Sequence, residues 1–207
     1  MVELLAALFF LSSPQTSFVT TAIWACAPER WVLGPKLEDG FFKGSLETDC
    51  EVRDAVGNGL RGVESYARGL VAGAKDIHSG PIPETRDGLP SHYWDIAVEL
   101  EEGADTLTVR QDTHLALDEK SKLRFEGLSK SVQGTGAASV LRRLDNLIEV
   151  TPNTAVGSWR VKLGGTLWAK KPWYAPNGTF MNEVEKAATA SFQRGRDKTM
   201  PRIASAL

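Results

Sequence analysis

Between Tyr93 and Ala169 the chain repeats one pattern, an apolar/polar alternation broken by short turns. In Tyr93 to Glu101, Trp94, Ile96, Val98 and Leu100 share one face, and Asp95, Ala97, Glu99 and Glu101 share the other. Thr106 to Leu117 sets Leu107, Val109, Gln111, Thr113, Leu115 and Leu117 against Thr108, Arg110, Asp112 and His114. Lys122 to Val132 sets Leu123 and Phe125 against Arg124, Glu126 and Lys130. In Ala137 to Val150, Val140, Leu144, Ile148 and Val150 are in phase, and Ala155 to Ala169 does the same with Trp159, Val161, Leu163 and Leu167. Successive side chains of a strand point to opposite faces, so such runs predict strands with one buried and one wet face. Turns this short join neighbours antiparallel, which gives a meander rather than a parallel sheet.

The apolar face of that sheet needs a cover, and the ends of the chain supply it. Phe180, Val184, Ala187, Ala188, Ser191 and Phe192 recur at helical spacing, which predicts an amphipathic helix over residues 179–207. Asn177-Gly178-Thr179 carries start signals for it, and Pro201 is expected to kink or end it near Met200. The triplet is also a glycosylation sequon, but its capping role suffices. The cations Arg194, Arg196, Lys198 and Arg202 read as a solvated face of this helix. Phe41 to Val52 reads as a first strand. Val56, Leu60, Val63, Tyr66 and Leu70 then predict helix, and the intervening glycines predict two short helices with a break. The resulting class is α+β, with helices packed on one face of a curved antiparallel sheet.

At 207 residues and 24% charged residues, with a net charge of −2, the chain reads as one main domain with no global electrostatic case for nucleic acid. Residues 1–40 are expected to be an N-terminal apolar arm or signal segment plus a linker, and 41–207 the folded domain. Within the arm, Leu4 to Leu11 and Phe18 to Ala27 fall short of the ~20 residues that span a bilayer. Glu3 and the lack of Lys or Arg before Leu4 do not suit a signal peptide, and Ile23-Trp24-Ala25-Cys26 faintly suggests a lipoprotein cleavage site. Exported and cytoplasmic residence both stay open. So do a Cys26–Cys50 bridge and two free thiols, and these cysteines lack the spacing of a zinc site.

The order of elements resembles the START-like, helix-grip (SRPBCC) superfamily, carried by three pieces of sequence. These are Ser158-Trp159-Arg160-Val161-Lys162-Leu163, then Trp168-Ala169-Lys170-Lys171-Pro172-Trp173, then Phe180 onward into the last helix. The resemblance implies a curved antiparallel sheet wrapped around a long C-terminal helix, with two short helices after the first strand. It also implies a cavity between sheet and helix for a lipid, steroid, polyketide or other hydrophobic small molecule. Members range from carriers to cyclases and hydrolases, so the fold alone does not choose among them.

No catalytic set, metal site or cofactor motif is legible. Gly57-Asn58-Gly59-Leu60-Arg61-Gly62 matches a dinucleotide fingerprint in form, but it sits in a helical pattern without a parallel βαβ unit and reads as close backbone contact. The pairs Glu101-Glu102 and Asp118-Glu119 read as solvated turn residues, and His114 as an outer-face histidine. His78 and His92 bracket a loop that could border the cavity, but neither has a partner in sequence to make it a base. The expected ligand-binding residues are Trp94, Ile96 and Val98; Leu107, Val109, Gln111 and Thr113; Phe125, Ile148, Trp159 and Val161 on the sheet; and Val184 and Phe192 on the helix. Gln111 and Thr113 are the polar members, set either to satisfy each other or to orient a guest. Trp168 and Trp173 are candidates to cover the pocket mouth. The expected function is non-enzymatic binding or transport of a hydrophobic small molecule. The alternatives are a cyclase or hydrolase acting in the same cavity, or an interaction domain with a filled interior. A transient membrane contact is left open.

Overall fold

The computed structural model describes residues 22–78, 82–86, 88–102 and 105–207. The strands are β1 (Ile23–Cys26), β2 (Arg30–Glu38), β3 (Phe41–Arg53), β4 (Asp76–Ile77), β5 (Ile82–Arg86), β6 (Leu89–Glu102), β7 (Asp105–Asp118), β8 (Lys122–Gly134), β9 (Leu141–Asn153) and β10 (Ser158–Lys170). They form one antiparallel sheet in the order β1-β3-β10-β9-β8-β7-β6-β4, with β2 also on β3 and β5 on β6. The α-helices among the described residues are α1 (Leu60–Ala72), between β3 and β4, and α2 (Asn177–Ala206) at the C-terminal end, and a 3-10 turn (Gly136–Val140) joins β8 to β9. The first long strand thus lies beside the last one, and α2 crosses the face they share. This is the helix-grip α+β arrangement.

Alternation decides the faces. Along β3, Phe42, Leu46, Cys50 and Val52 are buried while Lys43, Ser45, Glu47 and Asp49 point out. The outer face is wet and laced with ions: Lys162 meets Glu47 at 2.9 Å, Lys122 meets Glu149 at 2.9 Å, and Arg110 meets Asp95 at 2.9 Å. The Arg110 guanidinium holds the Asp95 carboxyl below its ordinary pKa. Register shifts at Arg110/Gln111 and Trp168/Ala169 mark bulges, which bend strands and help curl the sheet.

Several expectations need correction. Residues 31–40 are not a linker: β2 and β3 form a hairpin closed by Asp39 and Gly40, both at positive φ. That is the conformation a two-residue hairpin turn requires. The sheet also reaches back to Ile23, since β1 pairs with β3 and places Cys26 opposite Cys50, where a disulfide joins them. The Cys26 sulfur is therefore engaged, and the lipoprotein reading does not hold. Residues 1–21, with the first apolar run, lie outside the described residues. After β3 there is one continuous helix rather than two. Gly62 and Gly69 are absorbed because Leu60, Val63, Ala67, Leu70 and Val71 all gain burial on one stripe.

α2 likewise differs at both ends. Its N-cap is Pro176 and Asn177-Gly178-Thr179 is its first turn, without a side-chain cap. Pro201 does not end it. Tertiary contact holds the last turn, with Met200, Ile203 and Ala204 buried. Its terminal carbonyls find donors as well: Asn58 N–H bonds Ala206 O at 2.9 Å and Gly59 N–H bonds Leu207 O at 2.9 Å. The glycine-rich segment is thus the seat of the α2 terminus, and the orphan carbonyls of a helix end are satisfied there. Tyr66 on α1 lies against Thr199 and Arg202 of α2, and its burial raises the phenol pKa. Arg196 pairs with Glu29 at 3.3 Å. The basic cluster is therefore partly a set of ties, not only a solvated face.

Two measurements check this architecture. Phe192 is fully buried, so Phe192→Ala should cost about 3–5 kcal/mol in chemical denaturation. At Gly62 an added Cβ would stand 2.0 Å from Ala206 O. Gly62→Ala should therefore force the α2 terminus to shift and cost about 1–3 kcal/mol; an unchanged unfolding midpoint would contradict the seat described here.

Candidate functional site

The concave face gathers most of the expected residues. The ladders set Val98 beside Val109, Trp94 beside Thr113, Phe125 beside Ile148, and Ile96 beside Gln111. Leu107 follows on β7 and Val161 on β10, while α2 contributes Val184 and Phe192; all of these are buried. Trp159 stands apart, half-buried at the far end of β10 next to Gly59.

Among the described residues this interior is closed. A lipid-sized cavity would leave its walls with surface open to it, yet none of those buried residues keeps more than 7%. Among the described residues, clefts lie on the outside instead: one of about 520 Å³ runs along α2 at Glu185, Thr189 and Gln193, and two more lie on the outer face of the sheet. One of about 210 Å³ is bounded by His114, Lys122, Arg124 and Glu126, and one of about 380 Å³ runs along Glu47, Asp145, Leu147 and Thr166.

Within the apolar interior lies a small polar island. Gln111 Nε2 donates to Thr113 Oγ1 at 3.1 Å. Both face Gly127 on β8, where an added Cβ would stand 2.8 Å from Gln111 Nε2 and 2.9 Å from Asn146 Oδ1. Only glycine leaves room for the island. Asn146 Oδ1 accepts the Gly127 N–H at 3.0 Å at the last paired position between β8 and β9. Past that point the strands part and side chains take over the ladder: Ser129 N–H and Oγ–H donate to Asp145 Oδ1 at 2.9 and 3.0 Å, and Leu144 N–H donates to Ser129 Oγ at 3.0 Å. On α2, Ser191 is fully buried, and its hydroxyl has no hydrogen-bond partner among the described residues.

A second cluster sits at the rim between α1 and β6. Arg68 lies 5.5 Å from the centre of the Trp94 ring, donates to Glu64 Oε1 at 2.9 Å and bonds His92 Nδ1 at 3.2 Å. A guanidinium only donates, so Nδ1 of His92 accepts and the ring hydrogen sits on Nε2. Burial pushes the Glu64 carboxyl up, but hydrogen bonds from Arg61 and Arg68 outweigh it, and its pKa lies below the ordinary 4.5. His114 is on the outer face as expected, half-buried, with Nδ1 2.6 Å from Glu84 Oε1. His78 is far more open and pairs with Asp76.

Asn146, Gly127, Ser191 and the Arg68–His92 contact escaped the sequence reading. Asn146 is in phase with Leu144 and Ile148, so its inward direction was legible there. Ser191 was placed on the helix stripe, but the lack of a partner was not legible. Arg68 meets His92 only because α1 packs over β7 and β8, from where the Arg68 side chain reaches β6.

No protein-family model and no curated protein matches this sequence. Among solved structures, an uncharacterized protein of Rhizobium leguminosarum is 13% identical, with 87% of this chain and 99% of that one covered, at a TM-score of 0.33. A STAR-related lipid transfer protein fragment from Xanthomonas axonopodis is 11% identical, covering 84% and 98%, at 0.35. Human StAR-related lipid transfer protein 5 is 10% identical, covering 84% and 88%, at 0.33. Likenesses this distant say nothing of what this chain binds.

The rim cluster has a pH signature. Glu64 is more acidic folded than unfolded, so its contribution is complete above the ordinary carboxyl range and is lost as pH falls through the lowered value. Glu64→Gln should melt lower than wild type at neutral pH, and the gap should narrow below pH about 4.5. A constant gap across that range in thermal melts would count against the pairing.

Proposed function

We propose that this chain, a START-like helix-grip fold, binds a hydrophobic small molecule of the lipid, steroid or polyketide-like kind between the concave sheet and its helices. One observation carries the reading: hydrogen-bonding groups stand in an otherwise apolar interior, and the buried Ser191 hydroxyl has no partner among the described residues. A buried hydroxyl without a partner costs about 1–3 kcal/mol. A guest with an apolar body and one polar group recovers that loss at Ser191 and meets Gln111 or Thr113 on the sheet side. Because the interior is closed, the guest needs a wall to move. α1 is the candidate wall, since its rim contact with β6 runs through the partly exposed Arg68. The expected lining residues, Trp94 through Phe192, would then be the contact set. The Cys26–Cys50 bridge supports an oxidising compartment, where disulfides persist.

The closure itself favours a second reading, an interaction domain whose interior is simply filled. A cyclase or hydrolase has less support. Beside Gln111 stand amides and hydroxyls, the nearby Asp145 carboxylate is held by Ser129 and Arg143, and His92 Nδ1 is taken up by Arg68.

Native mass spectrometry of the purified chain and titration with paired probes test the proposal, one probe polar-headed and one wholly apolar. Wild type should favour the polar-headed probe. Gln111→Leu should shift relative preference toward the apolar one by about five- to tenfold, the worth of one hydrogen bond. If wild type takes up no probe and retains no guest, the filled interaction domain is the correct reading.

A further inference from the structure

The segment between β10 and α2 holds two large aromatic side chains in water. Trp173 is 92% exposed and Tyr174 72%, with ring centres 5.8 Å apart in an edge-on contact. A floppy loop would bring them together only briefly, but this one is stitched. Lys171 N–H bonds Gly40 O at 2.7 Å, the Lys171 ammonium bonds Ala175 O at 2.7 Å and Pro172 O at 3.2 Å, and Ala175 N–H bonds Pro172 O at 3.1 Å. Pro172 and Pro176 fix the two ends. The chain therefore holds an indole and a phenol outward in a set arrangement, against the usual preference for covering them.

The same end of the sheet is basic. Lys170 is exposed at the end of β10. Lys43 and Arg143 flank Trp168, at 5.2 and 4.9 Å from its ring centre, and Lys36 stands opposite Lys43 in the β2–β3 ladder. Arg142 is exposed beside them. Glu38 pairs with Lys36 and Lys43, and Asp145 with Arg143, so the positive excess at this end rests on Lys170, Lys171 and Arg142 against Asp39. Tryptophan and tyrosine have an apolar body and a polar tip, the chemistry that settles at the headgroup level of a bilayer. Basic residues around them add attraction to anionic lipid.

We infer that the Trp173–Tyr174 loop is a docking element for the surface of an anionic lipid bilayer. The aromatic pair enters the headgroup region, and Lys170 with its basic neighbours faces the lipid phosphates and carboxylates. The inference holds whether or not the interior takes a guest.

Cosedimentation of the full chain with vesicles tests it, comparing phosphatidylcholine alone with phosphatidylcholine plus phosphatidylserine. Wild type should bind the anionic vesicles and barely bind the neutral ones. Trp173→Ala with Tyr174→Ala should weaken binding at least about tenfold. Lys170→Glu should weaken it about fivefold or more, and added salt should mimic that change. All three side chains are exposed, so melting temperatures should stay level with wild type. Three results would overturn the inference. The first is no binding of wild type to anionic vesicles. The second is equal binding by the aromatic double variant, which would leave only diffuse charge attraction. The third is wild-type self-association in the absence of lipid that the double variant abolishes, which would make the loop a contact between protein copies.

Discussion

A curved antiparallel sheet has one face that water must not reach, and the seat of α2 on that face is the contact on which the rest depends. The helix lays Phe180, Val184, Ala188 and Phe192 along the sheet and ends where Asn58 and Gly59 take up its last carbonyls. That end fixes α1 as well, because α1 begins at Leu60, directly after those donors. A single junction therefore orients both helices over the concave face. It also accounts for a glycine-rich stretch that would otherwise weaken a helix: Gly57 and Gly62 stand where any side chain would collide with Ala206.

The interior beneath the helices is apolar but not uniformly so. Gln111, Thr113 and Asn146 converge on Gly127, at the point where β8 and β9 cease to pair. The splay exposes backbone donors, and Asp145 and Ser129 satisfy them. Much of this polarity is thus explained by the sheet's own geometry. Ser191 is not explained in that way, and it is the group that separates a ligand-binding interior from a merely filled one. The closed state places the burden on motion. On the proposed reading, a guest would reach the island by an opening of α1 or of the rim around Arg68 and Trp94.

The sequence was most legible where a residue's direction follows from a local period. Faces along β6, β7, β8 and β10 follow from alternation alone, and twelve of the thirteen expected lining residues are buried, with Trp159 half-exposed. It was least legible where neighbours decide. β2 carries Gly34-Pro35 and register shifts, which mask its alternation, although Asp39-Gly40 is a strong hairpin signal. Proline and bulges are tolerated there because β2 is an edge strand. Pro201 was expected to end α2, yet burial of Ile203 and Ala204 and the bonds from Asn58 and Gly59 outweigh its lost N–H.

By itself, then, the sequence determined that there would be an antiparallel meander with one wet face and a long amphipathic helix to cover the other. Those properties are periodic and local, written in side chains two or four apart. Tertiary structure alone decided the Cys26–Cys50 bridge, the seat of α2 on the glycine segment, the Arg68–His92–Trp94 rim and the isolation of Ser191. Each of these joins residues far apart in sequence, or depends on what fails to reach a buried atom. No period along the chain encodes such meetings; they follow from how a curved sheet and two helices divide one enclosed volume.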